Sequence, residues 1–135
     1  MSKDNRVVYS YRKFEVPPNV NRSCPNGGVA RVAFRVERPA KDYSGKEFKY
    51  TVSFAFCSPL DNFSRRGARA LTTARACFAS DSNDVHARDF VHVVKSSDRL
   101  RIAEIVDDTI YLMGRGDIHS PNWMRDAVEL GLDED

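Results

Sequence analysis

The chain has no run of apolar residues that approaches the roughly 18 a membrane-spanning helix requires, so no membrane anchor is expected. Cysteine is scarce. Cys24, Cys57 and Cys77 are odd in number and far apart, which fits reduced, buried or inert thiols better than a disulfide framework. There is no Cys-x-x-Cys pair, and His86, His92 and His119 do not stand at a spacing that defines a zinc site, so no structural zinc is expected. No Gly-x-Ser-x-Gly elbow sets up a nucleophile, and the PNGG stretch at 25–28 lacks the lysine and helix of a phosphate-cradling loop. The opening residues, MSKDNRVVYSYRK, lack the sections of a signal peptide, and a cytoplasmic setting follows as the expectation. Internal repeats and low-complexity segments are absent too.

What is present suits a single domain over residues 1–135, with 41% hydrophobic and 30% charged residues. The net charge of +2 conceals a division along the chain. Residues 1–78 carry 15 Lys and Arg against 6 Asp and Glu, a balance of +9, and residues 79–135 carry 6 against 13, a balance of −7. Such asymmetry either makes a basic face for an anionic partner or lets the two halves neutralise each other across the fold.

The patterning begins with a strand around 6–16 and a Pro, Asn and Gly-rich loop at 17–28. VARVAFRVE at 29–37 alternates, with Ala30, Val32, Phe34 and Val36 on one face and Arg31, Ala33, Arg35 and Glu37 on the other. FKYTVSFAF at 48–56 alternates likewise, with Phe48, Tyr50, Val52, Phe54 and Phe56 opposed to Lys49, Thr51, Ser53 and Ala55. Joined by residues 39–47, the two predict an antiparallel hairpin with one aromatic face.

CSPLDNFSRRGARALTTARACF follows at 57–78. Ser58, Pro59 and Asp61 predict a helix start, with Ser58 as the cap and Ser64 already on the helix surface. Leu60, Phe63, Gly67, Leu71, Ala74 and Phe78 recur at spacings of three and four, a stripe expected to lie on the aromatic face of the hairpin, with Gly67 permitting close approach. Arg65, Arg66 and Arg69 then point away from the core, and Arg75 sits at the flank. No acidic residue stands three or four positions after any of them within the helix, so local salt bridges do not account for the arginines.

The same run resembles a pattern found in small bacteriophage and plasmid proteins, Ser-Pro-x-Asp-x-Phe-Ser-Arg followed by an arginine-punctuated helix. The matching residues are Ser58, Pro59, Asp61, Phe63, Ser64, Arg65, Gly67 and Arg69. The resemblance implies a viral or mobile-element accessory protein at work in a bacterial cytoplasm, and it carries over no catalytic residue.

Further along, residues 89–94 read as a strand. SSDRLRIAEIVDDTIYLMGRG predicts a helix capped at Ser97 and closed at Gly114, with a strand pair as the alternative because of its β-branched residues. HSPNWMRDAVELGL predicts a short helix that buries Trp123, Ala127 and Leu130, and the terminal DED reads as a frayed tail. RGD at 115–117 is read as a turn after the helix.

The fold expected is α+β: an antiparallel sheet of three to four strands with two to three helices packed mainly on one face. The function expected is binding, not catalysis, with no cofactor. Nucleic acid comes first as the partner, contacted by Arg65, Arg66, Arg69 and Arg75 of the helix with Arg31, Arg35 and Lys49 of the hairpin. Placing the helix on the aromatic face puts those two sets of cations on opposite sides. The alternative is an inhibitor or adaptor that docks on a host protein such as a polymerase, nuclease or defence factor, and self-association is compatible with either. A metal-dependent enzyme comes third, through Glu104, Asp107 and Asp108, which also offer a docking surface for the arginine helix.

Overall fold

A computed structural model describes residues 5–20, 22, 24–39, 48–81 and 89–133. The hairpin connection 40–47, His86, the last two residues of the acidic tail and the side chain of Phe78 lie outside the described residues. In chain order the elements are β1 (Asn5–Val16), β2 (Gly28–Pro39), β3 (Phe48–Cys57), α1 (Arg65–Asp81), β4 (Val91–Ser96), α2 (Ile102–Arg115), a 3-10 turn (Asn122–Asp126) and β5 (Val128–Leu132). All strand pairings are antiparallel, in the order β4-β3-β2-β1-β5. The α+β class holds, with five strands where three to four were expected.

The extra strand comes from the C-terminus. A short helix was expected there, but only one 3-10 turn forms around buried Trp123 and Met124. VELGL then pairs with the outer edge of β1, Phe14 opposite Glu129 and Arg12 opposite Leu132. A helix this short is marginal by itself, whereas the unpaired backbone of β1 offers hydrogen bonds at once. Leu130 is consequently exposed rather than buried.

Alternation divides the sheet into two faces. On one, Phe14, Val16, Ala30, Val32, Phe34, Val36, Tyr50, Val52 and Phe54 form the core beneath Ile105, Val106 and Met113 of α2. Burying each large side chain contributes about 1.5–3 kcal/mol, so this aromatic layer carries most of the apolar stabilisation. Tyr50 fixes the approach of α2, because its buried hydroxyl accepts the Leu100 N–H at 2.8 Å. The helix forms as expected, not the strand pair, yet it starts after Arg101 and not at Ser97. It ends on Gly116, which adopts φ 80° and returns its N–H to the last carbonyls, so the RGD tripeptide is a helix terminus.

α1 lies on the opposite face. Ser53 Oγ donates to the Thr72 carbonyl at 2.8 Å, and Tyr9 and Thr73 share a hydrogen bond at 3.1 Å. Both Ser53 and Tyr9 project from the side of the sheet away from α2, so the helices sandwich the sheet instead of sharing one face. Ala33, Ser53 and Ala55 are small, and Cα atoms of α1 come within 8 Å of those of β2 and β3. Two helices compete for one aromatic face, and α2, with Ile102, Ile105, Val106, Ile110 and Met113 inward, covers it.

This reverses the expected orientation of α1. The residues against the sheet are Arg65, Ala68, Thr72 and Ala76, with Thr72 fully buried. Thr72 satisfies its hydroxyl on the Ala68 and Arg69 carbonyls. Leu60 and Leu71 face solvent, Leu71 at 44% exposure, and Gly67 does not touch the sheet. The helix also begins later than Ser58. Residues 58–61 form a turn in which Ser58 and Asp61 bond each other, and Ser64 is the cap, its Oγ accepting the Gly67 N–H at 3.1 Å.

Candidate functional site

Because α1 lies on the polar face of the hairpin, its arginines and the strand cations emerge on one side of the sheet. Each of the expected residues can be placed by what holds it. Arg65 stacks its guanidinium 4.5 Å from the Tyr11 ring centroid and donates to the Asp133 carbonyl. Arg31 pairs with the Asp133 carboxylate at 3.0 Å and lies 5.3 Å from the Phe63 ring centroid. The tail is thus anchored at Asp133 rather than frayed there, since the Asp133 N–H also reaches the Tyr11 carbonyl. Arg35 pairs with Glu37 at 3.2 Å. Arg75 donates to the Phe54 carbonyl and sits 3.6 Å from the Phe90 centroid, where burial draws its pKa below the ordinary value. These four arginines are engaged by the fold.

Arg66, Arg69 and Lys49 are exposed and have no hydrogen-bond or ion-pair partner among the described residues. Two further cations, missed in the sequence, join them. Lys13 lies on β1 directly opposite Arg31, and Lys95 lies on β4 directly opposite Lys49. Residues opposite each other in an antiparallel pair share a face, and like charges placed so are destabilising unless a counter-charge intervenes. Asp133 supplies one for Arg31. The described residues supply none for Lys49 and Lys95. Alternation in β1 and β4 was the available signal, but it needed the face of α1 to be known.

The acidic second half does not neutralise this surface through α2. Glu104 pairs with Arg101 at 3.2 Å, and Asp107 pairs with Arg12 at 2.8 Å on the far side of the sheet. Asp108 faces His92, whose pKa is lowered by burial and raised in part by that carboxylate. No group of three His, Cys, Asp or Glu suited to a metal ion occurs among the described residues. A polar cleft of about 460 Å³ follows α2, lined by Arg115, Asp117, His119, Ser120, Asn122 and Arg125. Its Arg115 and Asp117 pair with each other at 3.2 Å, and its Ser120 hydroxyl donates to the Met113 carbonyl, so it holds no activated nucleophile.

The thiols are all free. Cys24 is buried in the core; Cys57 is half-buried, and burial pushes its pKa above the ordinary 9.0, with Asp61 adding and Arg31 opposing. Cys77 is exposed. No helix among the described residues is long and apolar enough to cross a membrane.

No protein-family model matches this chain, and neither does any curated protein or solved structure.

Proposed function

We propose that this protein binds nucleic acid through the face of the sheet that carries α1. One observation carries the reading: Lys13, Lys49, Arg66, Arg69 and Lys95 project from that face without an acidic partner among the described residues. A polyanion relieves their mutual repulsion and gains charge-assisted contacts, with Arg66 and Arg69 able to grip phosphate in bidentate fashion. The neighbouring aromatic side chains Tyr11 and Phe63 are engaged with each other and with Arg65 and Arg31, so they are not free to stack on bases. That favours backbone recognition over base reading. The resemblance of the 58–69 stretch to phage and plasmid proteins fits an accessory role in a bacterial cytoplasm.

Counterion release makes the reading quantitative. Five phosphate contacts at about 0.9 each give a slope of log affinity against log salt of about −4.5 on duplex, and Arg66→Ala with Arg69→Ala lowers it to about −2.7. Fluorescence anisotropy across a salt series measures both. Absence of binding at about 50 mM salt, or a slope unchanged by the double substitution, refutes the reading.

Exposed Leu60 and Leu71 favour a second reading, docking on a host protein, since phosphate gives apolar side chains nothing to contact. Under it, Leu71→Asp abolishes capture of a protein partner while leaving nucleic-acid affinity little changed.

A further inference from the structure

We infer that the Asp133 carboxylate is an internal stand-in for a nucleic-acid phosphate: it occupies Arg31 in the free protein and gives way when a polyanion covers the basic face. This mode of regulation rests on the nucleic-acid reading. Asp133 opens the acidic run DED at 133–135, part of the acidic half that could neutralise the basic half. From that half, Asp133 reaches the face that carries α1. Its Oδ2 accepts a hydrogen bond from Arg31 Nε at 3.0 Å, and its carbonyl accepts one from Arg65. The Asp133 side chain is only 9% exposed, so the carboxylate sits in a formed cradle and is not a passing surface partner.

Asp133 is replaceable because the two arginines are positioned by other groups. Arg31 lies 5.3 Å from the Phe63 ring centroid and Arg65 lies 4.5 Å from that of Tyr11, and the two rings pack edge to face at 5.8 Å. A guanidinium over an aromatic face is held by the ring quadrupole, so both cations keep their places when the carboxylate leaves. The existing pair is also incomplete. Arg31 gives Asp133 one hydrogen bond, from Nε, and its terminal nitrogens have no hydrogen-bond partner among the described residues. A phosphate can take two such donors side by side, the fork geometry that makes arginine-phosphate contacts strong. Lys13, directly opposite Arg31 on β1, adds a second cation next to it.

Competition between the two anions sets a threshold. A free phosphate must displace a carboxylate that is tethered beside Arg31 and therefore present at high effective concentration. A polyanion held by Lys13, Lys49, Arg66, Arg69 and Lys95 brings a tethered phosphate of its own, and exchange becomes favourable. The freed carboxylate stays nearby and offsets the new contact. The unaltered protein thus presents five net cations, whereas Asp133→Asn presents six.

Fluorescence anisotropy with a short duplex compares the unaltered full chain with Asp133→Asn, which keeps the shape of the side chain and removes its charge. Asp133→Asn should bind about tenfold more tightly at low salt, the gain from one charge-assisted hydrogen bond, with a salt slope of about −5.4 in place of about −4.5. Adding Arg31→Ala to it should return the slope to about −4.5. Asp126→Asn, at an exposed residue of the 3-10 turn, removes the same charge away from Arg31 and should change affinity little. In the unaltered protein, the nuclear magnetic resonance signal of the Arg31 Nε–H should shift when duplex is added. Equal affinity and slope for the unaltered protein and Asp133→Asn overturn the displacement and leave the nucleic-acid reading standing. So does an Arg31 signal that stays in place in the complex, or a gain for Asp126→Asn as large as that for Asp133→Asn. Binding by neither protein at about 50 mM salt overturns the nucleic-acid reading and the displacement with it.

Discussion

Replacing Gly67 with alanine separates the two orientations of α1 by the sign of its effect. Were the stripe of Leu60, Gly67, Leu71 and Ala74 packed on the sheet, a methyl group at Gly67 would meet β-strand backbone and destabilise the protein by about 1–3 kcal/mol. In the structure a Cβ at Gly67 meets only Ser64, at 3.6 and 3.7 Å, which is ordinary contact. Gly67 lies in the helix and is not among the residues with positive φ, so alanine suffers no strain there. What remains is the backbone entropy that glycine loses on folding, about 0.5–1 kcal/mol in favour of alanine. For 135 residues at about 2.1 cal/mol/K each, the entropy of unfolding is about 0.28 kcal/mol/K, so Tm rises by about 2–4 °C. Thermal denaturation followed by circular dichroism at 222 nm, a standard helix wavelength, reads this directly. Leu71→Ala serves as companion: at 44% exposure it costs about 1 kcal/mol, against about 2–5 for a buried leucine. A fall in Tm for Gly67→Ala together with a large loss for Leu71→Ala refutes the orientation, and with it the shared basic face.

Two further outcomes follow from the other side of the sheet. Arg12 is 7% exposed and bonds Asp107 and Glu129, which are 62% and 34% exposed. Arg12→Ala should lower the unfolding free energy by about 2–3 kcal/mol in urea titration, less than for a fully buried pair because Asp107 can rehydrate, while Asp107→Asn costs under about 1 kcal/mol; equal costs would contradict this division. His92 has its folded pKa lowered by burial, so between that value and 6.5 the unfolded chain binds more protons and stability rises with pH. The contribution is fully present above pH 6.5 and is lost as pH falls, and His92→Gln should flatten the slope of Tm between about pH 5 and 7; an unchanged slope would assign it to other groups.

Alternation in 29–37 and 48–56 was enough to establish the hairpin, because side chains on a strand point to opposite faces whatever lies around them. Residue by residue, the aromatic face was legible in Phe34, Tyr50, Val52 and Phe54, all buried as their period implied. So were the existence of α1 and α2 and the local isolation of Arg66 and Arg69, since helical neighbours are set by spacing alone. Which helix takes which face was not legible. That choice is a competition between two distant segments for one apolar surface, and no local pattern in either records the other. α2 occupies the aromatic layer, and α1 settles by close approach over Ala33, Ser53 and Ala55, with its leucines outward. The register that sets Lys95 opposite Lys49, the use of Asp133 to hold Arg31 and Arg65, and the turn of VELGL into a strand are likewise tertiary decisions. Each depends on a backbone edge or a charge that only the folded chain brings near.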